Sequence, residues 1–254
     1  MAHRFHVDAI PTRRDEVRLS AETVRHLRVL GLGEGSEVVL FDGSGVEAAA
    51  RIESLAHADT RARILERTRT TRPDPSGLAV TLAVACPKGR RMDVLVRMCA
   101  ELGVREIVPL ITRRSVVKLH AEAPSNKLKR WRKICAAAGE QSGRTHLTTV
   151  SAPADFEDLL DSLASARDRR MEVFDLAVIL SPLPSTGTLV ETLRANPSAR
   201  SLLLLVGPEG GWTPEELSLA TSRGAVTASL TSSVLRVETA CVAAVALAVV
   251  LSSH

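Results

Sequence analysis

The stretch Ser201 to Leu217, SLLLLVGPEGGWTPEEL, constrains the fold more than any other part of the chain. Leu202 to Val206 form a short apolar run that stops at Gly207-Pro208-Glu209-Gly210-Gly211. Thr213-Pro214-Glu215-Glu216 then carries the marks of a helix start. Thr213 is placed to be the N-cap, Pro214 takes the first helical position, and Glu216 closes a capping box. A buried strand, a glycine turn and a capped helix in that order describe a ligand loop at the C-terminal end of a parallel strand. Three glycines and a proline in five residues exceed what a plain turn needs, and such backbone freedom serves close approach to a ligand. Two phosphate readings are excluded. No Gly-Lys-Ser/Thr follows, so the loop is not a P-loop, and the dinucleotide fingerprint G-x-G-x-x-G is absent from the chain.

The surrounding pattern predicts where such a loop sits. From Leu78 onward, apolar strands alternate with helices: strands at Leu78 to Cys86, Ile107 to Ile111, Val173 to Leu180, Leu202 to Val206 and Ala225 to Leu230, and helices at Arg91 to Leu102, Asn126 to Gln141, Thr188 to Ala195, Glu215 to Arg223 and Leu235 to Leu251. This rhythm argues an α/β domain with a mostly parallel sheet. Residues 1 to about 70 read differently. A short helix opened by Ser20, strands at Val38 to Phe41, Val46 to Ile52 and Arg61 to Leu65, and the turn Asp42-Gly43-Ser44-Gly45 imply a small β-barrel. Thr70 to Gly77, with two prolines, is the predicted linker. The domains are thus 1–72 and 76–254.

Charge is unevenly spread. The whole chain is only +4, yet Cys86 to His146 hold 14 basic and 5 acidic residues. Such asymmetry fits a polyanionic partner or a solvated arginine-rich helix face, and charge alone does not separate the two. Aromatic residues are 2% and tyrosine is absent, which argues against a stacking-platform RNA reader. Cys86, Cys99, Cys135 and Cys241 lack C-x-x-C spacing and read as reduced, buried thiols of a cytoplasmic protein; no metal site is expected. No apolar run reaches membrane-spanning length, and MAHRFHVDAI has no signal core.

Two further segments carry chemistry. Leu230 to Ala240, LTSSVLRVETA, joins a strand to an apolar helix and places Arg236 and Glu238 where apolar residues are otherwise demanded. They read as functional groups or as a boundary ion pair, which is costly to maintain without function. Thr239-Ala240 reads as the helix entrance. Glu140-Gln141-Ser142-Gly143-Arg144 ends the basic helix, which with Lys127, Lys129, Arg130, Arg132 and Lys133 offers a nucleic-acid surface. Lys88-Gly89-Arg90-Arg91, at a strand-to-helix turn, is placed to hold phosphate. Arg25 and Arg28 are open to either phosphate contact or a solvated face.

Taken in order, these residues resemble the RsmE family of 16S ribosomal RNA uridine methyltransferases, of the SPOUT (trefoil-knot) class. The resemblance rests on Val206 to Trp212 (VGPEGGW), Val234 to Ala240 (VLRVETA), Glu101 to Val104 (ELGV), Glu140 to Arg144 (EQSGR), Arg25 to Val29 (RHLRV) and Leu40 to Gly43 (LFDG). It implies an α/β fold in which a small N-terminal PUA-like β-barrel precedes a C-terminal SPOUT-type trefoil-knotted methyltransferase domain working as a homodimer. It implies S-adenosylmethionine as cofactor and N3 of a uridine in small-subunit rRNA as target. One departure stands out: where the family has L-G-x-R before I-L-R, this chain has Leu230-Thr231-Ser232-Ser233.

The expected cofactor walls are Leu180, Ser181 and Pro182; Val206, Gly207, Pro208, Glu209, Gly210 and Gly211; Leu230, Ser232, Val234 and Leu235; and Thr239 with Ala240. Arg236 is the expected stabiliser of charge on the uracil, and Glu238 or Glu209 the base. RNA contacts are expected from Arg4, Arg25, Arg28, Lys88, Arg91, Lys127, Arg130 and Arg144. The competing reading is a non-catalytic rRNA-binding or ribosome assembly factor on the same fold.

Overall fold

The structure, a computed structural model, describes residues 2–55, 60–70, 77–115, 124–168, 174–182 and 187–252. The chain divides into two compact units: Met1–Pro73 with Ala136–Leu147, and Asp74–Cys135 with Thr148–His254. The predicted linker falls largely outside the described residues, as does the start of the strand expected from Val173.

The first unit contains β1 (Arg4–His6), β2 (Glu16–Arg18), α1 (Ala21–Val29), β3 (Glu37–Phe41), β4 (Val46–Ser54) and β5 (Arg61–Arg69). The strands form one sheet in the order β1-β3-β4-β5-β2, with only the β1–β3 pair parallel. Alternate residues point inward, so Phe5, Leu40, Ala50 and Ile52 meet Leu27 of α1 in a core that excludes solvent. Ser20 caps α1 by accepting from the Thr23 amide at 3.1 Å. The three-residue strands β1 and β2 are too short to carry a period, and sequence reasoning missed both.

The segment Ala136–Leu147 completes this unit. The Glu140 carboxylate accepts from the His6 amide at 2.9 Å and faces His26 Nδ1 at 3.7 Å. Leu147 donates its amide to the Gly43 carbonyl and Gly45 donates to the Thr145 carbonyl, at 3.0 and 3.1 Å. Gly45 has φ +96°, and a Cβ there would lie 2.4 Å from the His146 ring, so the close approach requires glycine. Glu140 is therefore an internal clasp of this unit.

The second unit contains β6 (Ala79–Ala85), α2 (Arg91–Leu102), β7 (Glu106–Ile111), the start of α3 (Pro124–Ser142), β8 (Thr149–Val150), β9 (Ala154–Asp155), α4 (Phe156–Asp168), β10 (Leu176–Leu180), α5 (Leu189–Ala195), β11 (Ser201–Val206), α6 (Pro214–Ser222), β12 (Val226–Ala228) and α7 (Val237–Ser252). The sheet runs β12-β10-β11-β6-β7-β8, with β9 also on β7, and every pair is parallel. Central strands buried on both faces need continuous apolar runs, as Leu202 to Val206 supplies. Leu203, Leu205, Ala177 and Ile179 pack with Phe156, Leu160 and Ala220 of α4 and α6. The alternate residues Leu202, Leu204 and Val178 face the other way; α7 packs on α2 and α5 and reaches β6 and β11. Asp175 sets the β10–β11 register from below. Its Oδ2 accepts from the amides of Arg200 and Ser201, at 2.7 and 2.9 Å, and the Arg200 bond above all holds the carboxyl below its ordinary range.

Three expectations are corrected here. The strand predicted to reach Leu230 ends at Ala228, because Ser229 turns to exchange backbone bonds with Gly187 and Leu189. The last helix begins at Val237 rather than Leu235, because its entering bond is from the Ala240 amide to the Arg236 carbonyl, at 2.8 Å. Thr239-Ala240 thus lies within the first turn rather than forming the entrance. Helix α4 went unread although Asp155 accepts from the Glu157 amide as a start signal and Phe156, Leu159 and Leu160 share helical spacing.

Candidate cofactor site

An all-parallel sheet puts every strand's C-terminal end on one edge. The segments that follow β10, β11 and β12 therefore converge, and they enclose a cavity. It is lined by Leu180, Ser181 and Pro182, by Val206, Gly207, Pro208, Glu209, Gly211 and Trp212, by Leu230, Thr231, Ser233, Val234 and Leu235, and by Val237 and Ala240 of α7. Of the expected wall residues, Gly210, Ser232 and Thr239 fall outside this lining. Trp212 and Val237 belong to it and were not foreseen, whereas Thr231 and Ser233 belong to it inside the Leu230 to Leu235 segment expected to wrap the cofactor. Trp212 directly follows the glycines, so its signal was present in the sequence.

The glycine loop is held from several sides. The Thr213 side chain accepts from the Glu216 amide at 3.2 Å, while Glu216 Oε2 accepts from the Thr213 amide at 2.8 Å, forming the predicted capping box. Trp212 is buried, packs on Phe156 with ring centroids 4.8 Å apart, and donates its Nε1–H to the Leu180 carbonyl at 3.0 Å. This bond ties the loop after β11 to the end of β10. A Cβ at Gly207 would lie 2.9 Å from the indole, so the tryptophan can seat only because residue 207 is glycine. Glu209 reaches outward to Arg91 at the start of α2, 3.3 Å away.

The opposing segment is more exposed. Val234 is 83% accessible, and Thr231, Ser232, Ser233 and Arg236 are exposed. Its internal hold is a turn in which Thr231 Oγ1 donates to the Ser233 carbonyl at 2.9 Å and accepts from the Ser233 amide at 3.2 Å.

The expected catalytic residues separate. Glu209 lines the cavity, whereas Arg236 and Glu238 do not. Glu238 is half-buried in the first turn of α7, and its Oε2 is buried without a hydrogen-bond partner among the described residues. Burial, then Cys99 and the Glu238 charge, push the Cys241 thiol well above its ordinary value. Burial likewise pushes Cys86, Cys99 and Cys135 up to about 12, which leaves none of them a nucleophile at neutral pH.

Of the expected RNA contacts, Arg25, Arg28, Lys88, Arg91 and Lys127 are exposed. Arg130 is exposed too and pairs with Asp93. Arg144 is half-buried, and Arg28 donates weakly to the Leu55 carbonyl at 3.4 Å. Arg4 is engaged inside the first unit, 3.0 Å from Glu47 and stacked over Phe41. Trp131 is buried, as a packing role requires.

The lining discriminates among cofactors. Its walls are largely apolar; among the described residues its one charged member is the acid Glu209, and no lysine or arginine lines it. A phosphate-bearing ligand would meet no cation there, whereas a sulfonium compound with an aromatic base would meet apolar walls and a carboxylate.

Comparison with known proteins agrees with this architecture. A family model described as an RNA methyltransferase domain matches residues 74–249, and one described as an RNA methyltransferase PUA domain matches residues 19–58. The chain is 35% identical to the ribosomal RNA small subunit methyltransferase E of Synechocystis sp., across 94% of this chain and 75% of that one. It is 30% identical to the protein of the same name from Bacillus subtilis, across 87% and 85%. Among solved structures, ribosomal RNA small subunit methyltransferase E from Neisseria gonorrhoeae, bound to S-adenosyl methionine, superposes with TM-score 0.82 at 32% identity, covering 97% of this chain and 96% of that one. The fold, a PUA-like unit with a SPOUT-type α/β domain, and the sequence together place this chain in the ribosomal RNA small subunit methyltransferase E family of RNA methyltransferases.

Proposed function

We propose that this chain is a cytoplasmic, homodimeric enzyme that uses S-adenosylmethionine to methylate N3 of a specific uridine in 16S rRNA. The observation that carries the reading is the cavity: apolar walls, a glycine loop and a single acid, in a chain whose relatives include a protein solved with that cofactor. The walls Leu180 to Pro182, Val206 to Gly211 and Leu230 to Leu235 would hold it largely by backbone contacts.

When bound, the cofactor would supply a methyl group from its sulfonium sulfur to N3. The protein's part is mainly positioning. The N3 proton of uridine must leave, and a carboxylate takes it. Glu209, on the cavity wall and oriented by Arg91, is better placed than Glu238 on α7. Arg236, at the entrance of α7, stabilises negative charge on the uracil. The N3 atom lies on the pairing edge, so the target base must be unpaired or extruded. Arg25, Arg28, Lys88, Arg91 and Lys127 grip phosphates, which makes RNA affinity fall steeply with salt.

Calorimetry with S-adenosylmethionine, followed by a methylation assay on small subunits lacking the modification, tests the reading. Arg236→Ala should lower kcat roughly a hundredfold, as loss of a charge-stabilising donor does, with cofactor affinity unchanged. Cofactor binding without any methylation of RNA would favour the non-catalytic assembly factor instead.

A further inference from the structure

Strand β7 is followed by a tight turn, Thr112 to Ser115. The Ser115 amide donates to the Thr112 carbonyl at 3.1 Å, and the Thr112 amide donates to Ser115 Oγ at 3.1 Å. Three bonds run from this turn to the glycine loop and its helix, about a hundred residues away. The Arg113 amide donates to Glu216 Oε1 at 2.9 Å. Arg114 Nη1 donates to the carbonyls of Gly210 and Trp212, at 2.9 and 3.3 Å.

These bonds land on two peptide planes whose other ends are also held. The peptide joining Gly210 to Gly211 has its carbonyl on Arg114 and its N–H on the Pro208 carbonyl, 2.8 Å away. The peptide joining Trp212 to Thr213 has its carbonyl on Arg114 and its N–H on Glu216 Oε2, 2.8 Å away. A peptide plane fixed at both polar ends cannot rotate without breaking one of them. One guanidinium nitrogen thereby sets the orientation of the loop on both sides of Gly211 and of Trp212, two residues of the cavity wall. Glu216, only 2% exposed, uses one oxygen for the capping box and the other for the turn.

We infer that Arg114, backed by Glu216, is a positioning residue for methyl transfer. It is not among the residues that line the cavity; through the Gly210 and Trp212 carbonyls it holds the glycine wall in the shape that accepts the cofactor. The inference rests on the cofactor reading above.

The test is calorimetric binding of S-adenosylmethionine to the full chain as wild type, Arg114→Met and Arg114→Lys, with the thermal midpoint of each protein measured without cofactor. Arg114→Met keeps the aliphatic stem and removes the donors. It should weaken cofactor binding roughly tenfold, the scale of a lost charged hydrogen bond, with little change in midpoint. Arg114→Lys, which keeps a charged donor, should recover part of that loss. In turnover, KM for the cofactor should rise while KM for rRNA stays put. Wild-type affinity in Arg114→Met overturns the inference. A fall in midpoint that accounts for the whole loss, with no recovery in Arg114→Lys, also overturns it by making the residue merely structural. Failure of the wild type itself to bind would sink the cofactor reading instead.

Discussion

The two walls of the cavity are built on different principles. The glycine wall, Val206 to Trp212, has little backbone stiffness of its own; its shape is imposed by the side chains of Arg91, Arg114 and Glu216 and by the bond of its own Trp212 indole to the Leu180 carbonyl. The facing wall, Leu230 to Leu235, is held from within, Thr231 and Ser233 hydrogen-bonding to each other. One wall is over-determined by long-range contacts; the other is shaped by a local turn. A segment held by several buried or half-buried bonds opens at higher free-energy cost than an exposed one held by a short-range turn.

That contrast can be broken by mutation. The largest effect is expected for Glu216→Ala, which removes a buried acceptor for the Thr213 and Arg113 amides and leaves both donors unpaired. Chemical denaturation should show a loss of about 3 kcal/mol; a loss below about 1 kcal/mol would mean that the brace carries no weight. Next comes Trp212→Phe, which keeps an aromatic ring on Phe156 but strands the Leu180 carbonyl. About 1–2 kcal/mol of stability should go, and cofactor affinity should fall with it, because the bond links two sides of the cavity. The smallest effect is expected for Thr231→Val on the facing wall, about 0.5 kcal/mol, since a solvent-exposed local turn is all that is lost. Hydrogen exchange sharpens the same point: the amides of Gly211 and Thr213 should exchange more slowly than that of Ser233. Equal protection on both sides would erase the distinction between the walls.

The contrast also explains what could be read from the sequence. Signals that act over a few residues were legible. The run Leu202 to Val206, the Thr213–Glu216 capping box and the Ser20 cap all formed as expected. So did the convergence of three segments on one cavity, because a parallel sheet dictates it. The illegible part consists of bonds between distant residues. Nothing local to Arg113 and Arg114 marks them as partners of a loop beyond Gly207. Nothing local to Glu140 reveals that its carboxylate pins the His6 amide, or that Gly43 and Gly45 are glycine to admit Leu147 and His146. The sequence displayed each half of these pairs as a motif, and only the fold joins them. Arg236 and Glu238 make the converse case. They stand out as charges in an apolar segment, yet neither lines the cavity: Arg236 is exposed just before α7, and Glu238 is half-buried in its first turn.

The rarity of aromatic residues has a practical consequence. With no tyrosine and only two tryptophans, the chain's near-ultraviolet emission comes from Trp131 and Trp212 alone. Both are buried, one in α3 and one on the cavity wall. A Trp131→Phe protein would therefore carry a single fluorophore, set against Phe156 and bonded to the Leu180 carbonyl. The colour and quenching of its light would report directly on whether the glycine wall is seated, without any label.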